Sequence, residues 1–198
     1  MRHTTILIVA LATSSCSSHL SIGTASSNLL GPALARQMAE TYVARLPLDK
    51  NQPEREEFRK EFALMFFSGF TSPDARLSGS DAAECGFEAG QKFRRKCNSR
   101  EVSRTMEAYG YIFTEITGDW SVAFEISCFT PRGFPDQRWW LDEFGDTKYD
   151  FQKKETMAGK QTLYHLSGFL SPEGKYGHMG RYDHEFYATK VVLIRDED

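Results

Sequence analysis

Apolar residues recur at helical spacing through the first half of the chain and alternate with polar ones through the second. From Pro32 to Leu46, Leu34, Met38, Tyr42 and Leu46 fall at i, i+4 steps and predict a helix. Pro32 suits its first turn and Pro47 stops it. A second helix is predicted over Glu54–Phe67, with Phe58, Phe62, Leu64, Met65 and Phe66 on a broad apolar face and Gly69 closing it. A third should begin behind Ser80 or Asp81, either of which can cap free backbone N–H groups. It carries Ala83, Gly86, Gly90, Phe93 and Cys97 along one side. Glycine costs up to about 1 kcal/mol in a helix interior. Two glycines four apart on one face therefore mark close approach by another element, unless one of them breaks the helix. Ser99–Tyr109 forms a fourth helix with Val102, Met106 and Tyr109 inward, stopped by Gly110.

The period then changes to two. Tyr111–Thr117 and Trp120–Thr130 read as strands joined by a turn at Gly118-Asp119, with Trp120, Val122, Phe124, Ile126 and Cys128 sharing one face. Pro131–Asp150 is loop-like around a short central strand. Strands resume at Thr162–Leu170 and Asp183–Ile194, joined by the glycine-rich stretch SPEGKYGHMGRY. With helices first and strands second, the fold class expected is α+β: N-terminal helices packed on a mostly antiparallel C-terminal sheet. The alternation and glycine-rich turns also admit a sheet curled into a small barrel. One domain is expected over residues 32–194, helical over 32–109 and β-rich over 110–194, with a solvated tail at 195–198.

The N-terminus follows another logic. Arg2 and His3 precede an apolar run from Ile6 to Ala12, and small polar residues come next, which is the layout of a secretory signal. A spanning helix needs about 20 apolar residues, so this run is too short to cross a bilayer. Thr13-Ser14-Ser15-Cys16 resembles the lipobox of bacterial lipoproteins, with Thr13 and Ser15 standing where that pattern favours Leu and Gly or Ala. The resemblance implies a signal peptide over residues 1–16 and lipidation of Cys16. With Ser17 beside the cysteine, it further implies anchoring in the bacterial outer membrane on its periplasmic face. Cleavage at Ala10-Leu11-Ala12 would instead give a soluble periplasmic or secreted protein, and an unprocessed cytosolic start is the third alternative. Residues 17–31 are Ser-rich and read as a flexible tether.

Composition narrows the function classes. Aromatics make up 13 % of the chain, which argues for a packed core. The formal charge is −3 and basic residues cluster only at Lys92, Arg94, Arg95, Lys96 and Arg100, a pattern read as a solvated helix face. No nucleic-acid partner is expected. Beyond Cys16 there are three cysteines, so one disulfide and one thiol are expected. A helix running from 82 to 97 would separate Cys85 from Cys97 by about 18 Å, beyond the reach of a disulfide. Cys128 should therefore pair with Cys85 or Cys97, and Cys97 is preferred because it shares a face with Phe93. The alternative leaves all three as buried thiols. No CxxC or close Cys/His pair points to zinc, and no GxSxG, HExxH or phosphate-cradling loop occurs. No cofactor or metal is expected.

Two segments could carry a binding site. In the glycine-rich turn, Tyr176, His178, Tyr182 and the following His184 supply planar polar groups. In Arg138-Trp139-Trp140-Leu141-Asp142-Glu143-Phe144, adjacent tryptophans on a strand face opposite ways. One of them could therefore be exposed beside Asp142. The plainer reading makes the first segment a long hairpin turn and the second core packing. Together these features suggest a cell-envelope lipoprotein, non-catalytic, binding an envelope protein or a cell-wall component in an accessory or immunity-type role. A periplasmic hydrolase or small-ligand binder using the His178 turn and Trp139–Glu143 is the alternative, and a structural envelope protein the third.

Overall fold

The computed structural model describes residues 31–46, 52–123, 126–144 and 162–194. The signal-like segment, Cys16, the tether, Phe124-Glu125 and the tail lie outside the described residues. Helices α1 (Gly31–Val43), α2 (Gln52–Thr71), α3 (Asp81–Arg94) and α4 (Ser99–Ala108) come first. Strands β1 (Ile112–Ala123), β2 (Ile126–Pro131), β3 (Trp139–Glu143), β4 (Thr162–Leu170) and β5 (His184–Leu193) follow. The strands close a barrel in the order β1-β2-β3-β5-β4. All neighbours are antiparallel except β3 with β5, which run parallel. The α+β segregation is as expected, and the barrel variant of the sheet is the one adopted.

The two glycines of α3 are where α2 crosses it. A Cβ built on Gly86 would stand 2.4 Å from the carbonyl oxygen of Phe62, and one on Gly90 2.0 Å from that of Phe66. Gly69 meets the Phe87 carbonyl from the other side at 2.0 Å. This contact explains why Gly69 does not end α2: its missing side chain serves packing, and the helix runs on to Thr71. Phe62, Phe66 and Phe70 are fully buried at i, i+4 steps, while Leu64, expected inward, is exposed. Ser80 caps α3 by accepting from the Ala83 N–H, and Asn98 with Glu101 forms a capping box on α4.

Gly118-Asp119 is not a turn. It lies inside β1, which is one strand of 12 residues, and a side chain at Gly118 would strike the Phe129 ring at 2.6 Å. The register Trp120↔Phe129 places both residues in the barrel interior with Trp139, Leu141, Tyr164, Leu166, Phe186 and Ala188. Cys128, expected on the same face as Trp120, consequently points outward, because the chain reverses between Ala123 and Ile126 and resets the alternation. A separate cluster of Phe70, Val102, Met106, Tyr111, Phe144, Phe169 and Tyr187 glues the helices to the barrel's outer surface.

The disulfide expected between Cys97 and Cys128 is not made. Both are free, and Cys85 is the disulfide-bonded cysteine. Cys97 sits at the α3–α4 corner and Cys128 on the outside of β2, so helix and sheet are held by packing rather than by that bond.

Candidate functional site

Pairing places the predicted site residues on two faces of the barrel. Trp139 is buried inside, stacked on Phe186 at 6.0 Å and edge-on to His184 at 5.7 Å. His184 is half-buried, with Nδ1 3.0 Å from the Ser171 carbonyl oxygen. These two residues belong to the core of the barrel end. Trp140 and Asp142 face outward, opposite Glu185 and Tyr187 of β5. Trp140 is half-buried under the 171–183 loop: it meets Tyr182 edge-on at 5.2 Å, and a Cβ on Gly177 would overlap its ring at 2.5 Å. Asp142 is exposed beside it.

The outer face also holds groups that the sequence did not flag. Tyr111 donates to Glu185 Oε2 at 3.0 Å, and the buried Tyr187 hydroxyl lies near Glu185 and near Thr71 of α2. Burial pushes the Glu185 carboxyl above the ordinary carboxylate range, partly opposed by the Tyr111 hydrogen bond. Burial likewise raises the Tyr111 and Tyr187 hydroxyls. The alternation Glu185-Phe186-Tyr187-Ala188 carried the signal, but a polar outward row looks solvated until helices are known to cover it. Burial also raises both free thiols, Cys97 to about 11, so neither is an activated nucleophile. Among the described residues no three metal-ligating side chains gather at one point.

The loop between β4 and β5 is tightly built. Ser171 Oγ accepts from the Glu185 N–H at 2.8 Å, and the Gly174 N–H reaches the Asp183 carbonyl at 2.9 Å. Tyr176 and Tyr182 form an antiparallel bridge, the Tyr176 N–H donating to the Tyr182 carbonyl at 2.9 Å. Above that bridge the chain turns through Gly177 (φ +62°), His178, Met179 and Gly180 (φ +63°). Met179 itself has φ 58°, a left-handed backbone that few non-glycine residues adopt, and is 72 % exposed. His178 is exposed at the same tip. The neighbouring loop between β2 and β3 is tied to this one: the Asp183 N–H donates to the Arg138 carbonyl at 3.0 Å. That second loop carries Phe134, 53 % exposed. One barrel end therefore presents two apolar side chains, Met179 and Phe134, on adjoining loops that also expose charges of both signs, Arg132, Asp136, Arg138, Glu173, Lys175, Arg181 and Asp183.

Compared with protein-family models, curated proteins and solved structures, the chain matches none of them. The fold and this site must therefore be read on their own chemistry.

Proposed function

We propose that the chain is a periplasm-facing envelope lipoprotein whose barrel end binds an envelope protein without catalysing a reaction on it, in an accessory or immunity-type role. The observation that carries the binding reading is the bridged 171–183 loop, which holds Met179 out in a left-handed conformation beside Phe134. Backbone strain of this kind costs of order 1–3 kcal/mol and persists where surrounding structure enforces it, as at ligand clamps. A loop already held by its own hydrogen bonds loses little further entropy on docking. Met and Phe are interface anchors, and the exposed charges of both signs around them suit a polar rim. A protein partner fits this surface better than a cell-wall glycan, since Trp139 is enclosed and Trp140 is roofed by Gly177 and Tyr182. Export and anchoring rest on the Arg2–Cys16 segment alone.

The test uses the full chain as bait in bacterial envelope extract, beside a Met179→Asp/Phe134→Asp double variant and a Leu64→Asp control on the far side of α2. Partners retained by parent and control but lost by the double variant are the expected result. Each apolar anchor removed should weaken binding to an isolated partner by about 1–2 kcal/mol. A double variant that keeps every partner overturns the barrel-end interface.

A further inference from the structure

Charge is spread unevenly over the helical half. Residues 92–107 carry six cations against two carboxylates, in a chain whose formal charge is −3. Arg94 packs on the Phe70 and Phe144 rings. The other five, Lys92, Arg95, Lys96, Arg100 and Arg104, are exposed around the α3–α4 corner. Lys92 is ion-paired with Glu88 at 3.4 Å, and Arg95 donates to the Pro73 carbonyl at 3.2 Å. Among the described residues, Lys96, Arg100 and Arg104 have no ion-paired carboxylate. Of the two acids in the row, Glu101 is half-buried in the capping box, accepting from the Asn98 N–H at 2.8 Å, and Glu107 is exposed one turn past Arg104. Asp74, exposed next to Pro73, is offset by exposed Arg76.

Helix electrostatics account for part of this row only. Lys92, Arg95 and Lys96 lie at the C-terminal end of α3, where the helix dipole favours cations. Arg100 instead stands in the first turn of α4, where the dipole disfavours a cation and stability alone would select an acid. An exposed residue set against local stability points to a partner of opposite charge. The chain also enters the domain on this helix: a Cβ on Gly31 would stand 2.5 Å from Thr105 and 3.0 Å from the Tyr109 ring. Fifteen residues separate Gly31 from Cys16 and can span at most about 50 Å. An acyl group on Cys16 would therefore keep α4 near the bilayer it enters. On one flank of α4, Phe113 lines a cleft with Ser99 and Ser103 and is 55 % exposed, so an aromatic ring accompanies the cations, a combination that suits a lipid interface.

We propose that the α3–α4 corner docks on an anionic phospholipid surface, with Lys96, Arg100 and Arg104 against the lipid phosphates. The docking rests on the lipid-anchored reading for its nearness to a bilayer, and it uses a surface separate from the barrel-end loops. Each cation near an anionic leaflet strengthens attachment about fivefold. Acyl chain and basic corner together make a two-point attachment, which holds the domain in one orientation on the membrane.

The test sediments the full chain, carrying Cys16→Ser to remove acylation, with vesicles of phosphatidylcholine alone or with about one third phosphatidylglycerol. Arg2 and the apolar run Ile6–Ala12 are present in every sample, so the readout is the change between variants. The parent should prefer the anionic vesicles and lose that preference at about 1 M salt, where charges are screened beyond about 3 Å. Arg100→Gln/Arg104→Gln should weaken binding to anionic vesicles about 25-fold, fivefold for each cation, and leave binding to neutral vesicles unchanged. Glutamine is a good helix former, so the variant should keep the parent's circular dichroism. Arg45→Gln/Lys60→Gln removes two exposed cations elsewhere on the helical half and should keep the parent's preference. Equal binding of the parent to both vesicles, an unchanged preference in Arg100→Gln/Arg104→Gln, or an equal loss in the control would each overturn the proposal. An acidic envelope protein captured by the parent and lost by Arg100→Gln/Arg104→Gln, with vesicle binding unmoved, would assign the corner to that protein instead. The anchored reading fails separately, by an unmodified mass for the Cys16 peptide of the natural chain recovered from bacterial membranes.

Discussion

Replacing Gly90 with alanine tests the helical half of the fold at its tightest point. In an isolated helix this change stabilises by about 1 kcal/mol, because alanine restricts the unfolded chain and suits the helix better. In this protein the new methyl would stand 2.0 Å from the Phe66 carbonyl oxygen and 2.9 Å from both the Phe66 carbonyl carbon and the Phe70 nitrogen. These are backbone atoms in mid-helix, so no side-chain rotation relieves the overlap. Restoring ordinary contact requires α2 and α3 to separate by roughly 1 Å, and overpacking of this kind costs typically 1–3 kcal/mol and occasionally more. Separation would also loosen Gly86 against Phe62 and Gly69 against Phe87, which share the crossing. We expect a net destabilisation of about 2 kcal/mol, or roughly 4–8 °C in Tm for a domain of this size. Urea unfolding followed by far-ultraviolet circular dichroism measures it, with exposed Glu88→Ala on the same helix as a control expected to stay within about 0.5 kcal/mol. A Gly90→Ala protein as stable as the parent, or more so, would refute the close crossing.

Two further outcomes follow from the cysteines and from Glu185. Thiol labelling of the unfolded, unreduced chain should tag both Cys97 and Cys128; failure of either to react without reductant refutes its free state. For Glu185, burial raises the folded carboxyl above its ordinary value of 4.5, so ionising it opposes folding. Its stabilising contribution is complete below that ordinary, unfolded value and is lost as pH rises through the folded value. Glu185→Gln should therefore match the parent near pH 4 and exceed it at pH 7 in urea midpoint. A variant less stable than the parent at pH 7 would show that the Tyr111 hydrogen bond outweighs burial.

Helix content and strand positions were legible because they depend on local period. β4 matches its expected span of Thr162–Leu170, and the Gly86/Gly90 spacing announced a helix crossing before any partner was visible. The misreadings share a cause: a residue's local meaning was overridden by a tertiary neighbour. Gly69 and Gly118 look like stops, yet each is small because another element lies against it. Cys128 follows Trp120 in an unbroken alternation on paper, but a reversal between strands inverts its face. Arg94 reads as one of a solvated basic row, and only the position of Phe144, fifty residues later, makes it a packed group. Of the two candidate segments, the tight turn was visible in its glycines. The enclosure of Trp139 and the roofing of Trp140 required the pairing of β3 with β5.

Closure of the barrel has a consequence for the kind of recognition this domain can perform. Every strand already has a hydrogen-bonded neighbour on both sides. Among the described residues no free sheet edge remains for an extended peptide to add itself as another strand, the mode by which many binding domains capture unstructured segments through main-chain contacts. Discrimination must then reside in side chains carried on loops and on the barrel's outer wall, where single substitutions can redirect it. The same closure removes the commonest template for edge-to-edge aggregation. A chain built this way can vary its loops while its strands stay protected from one another's copies.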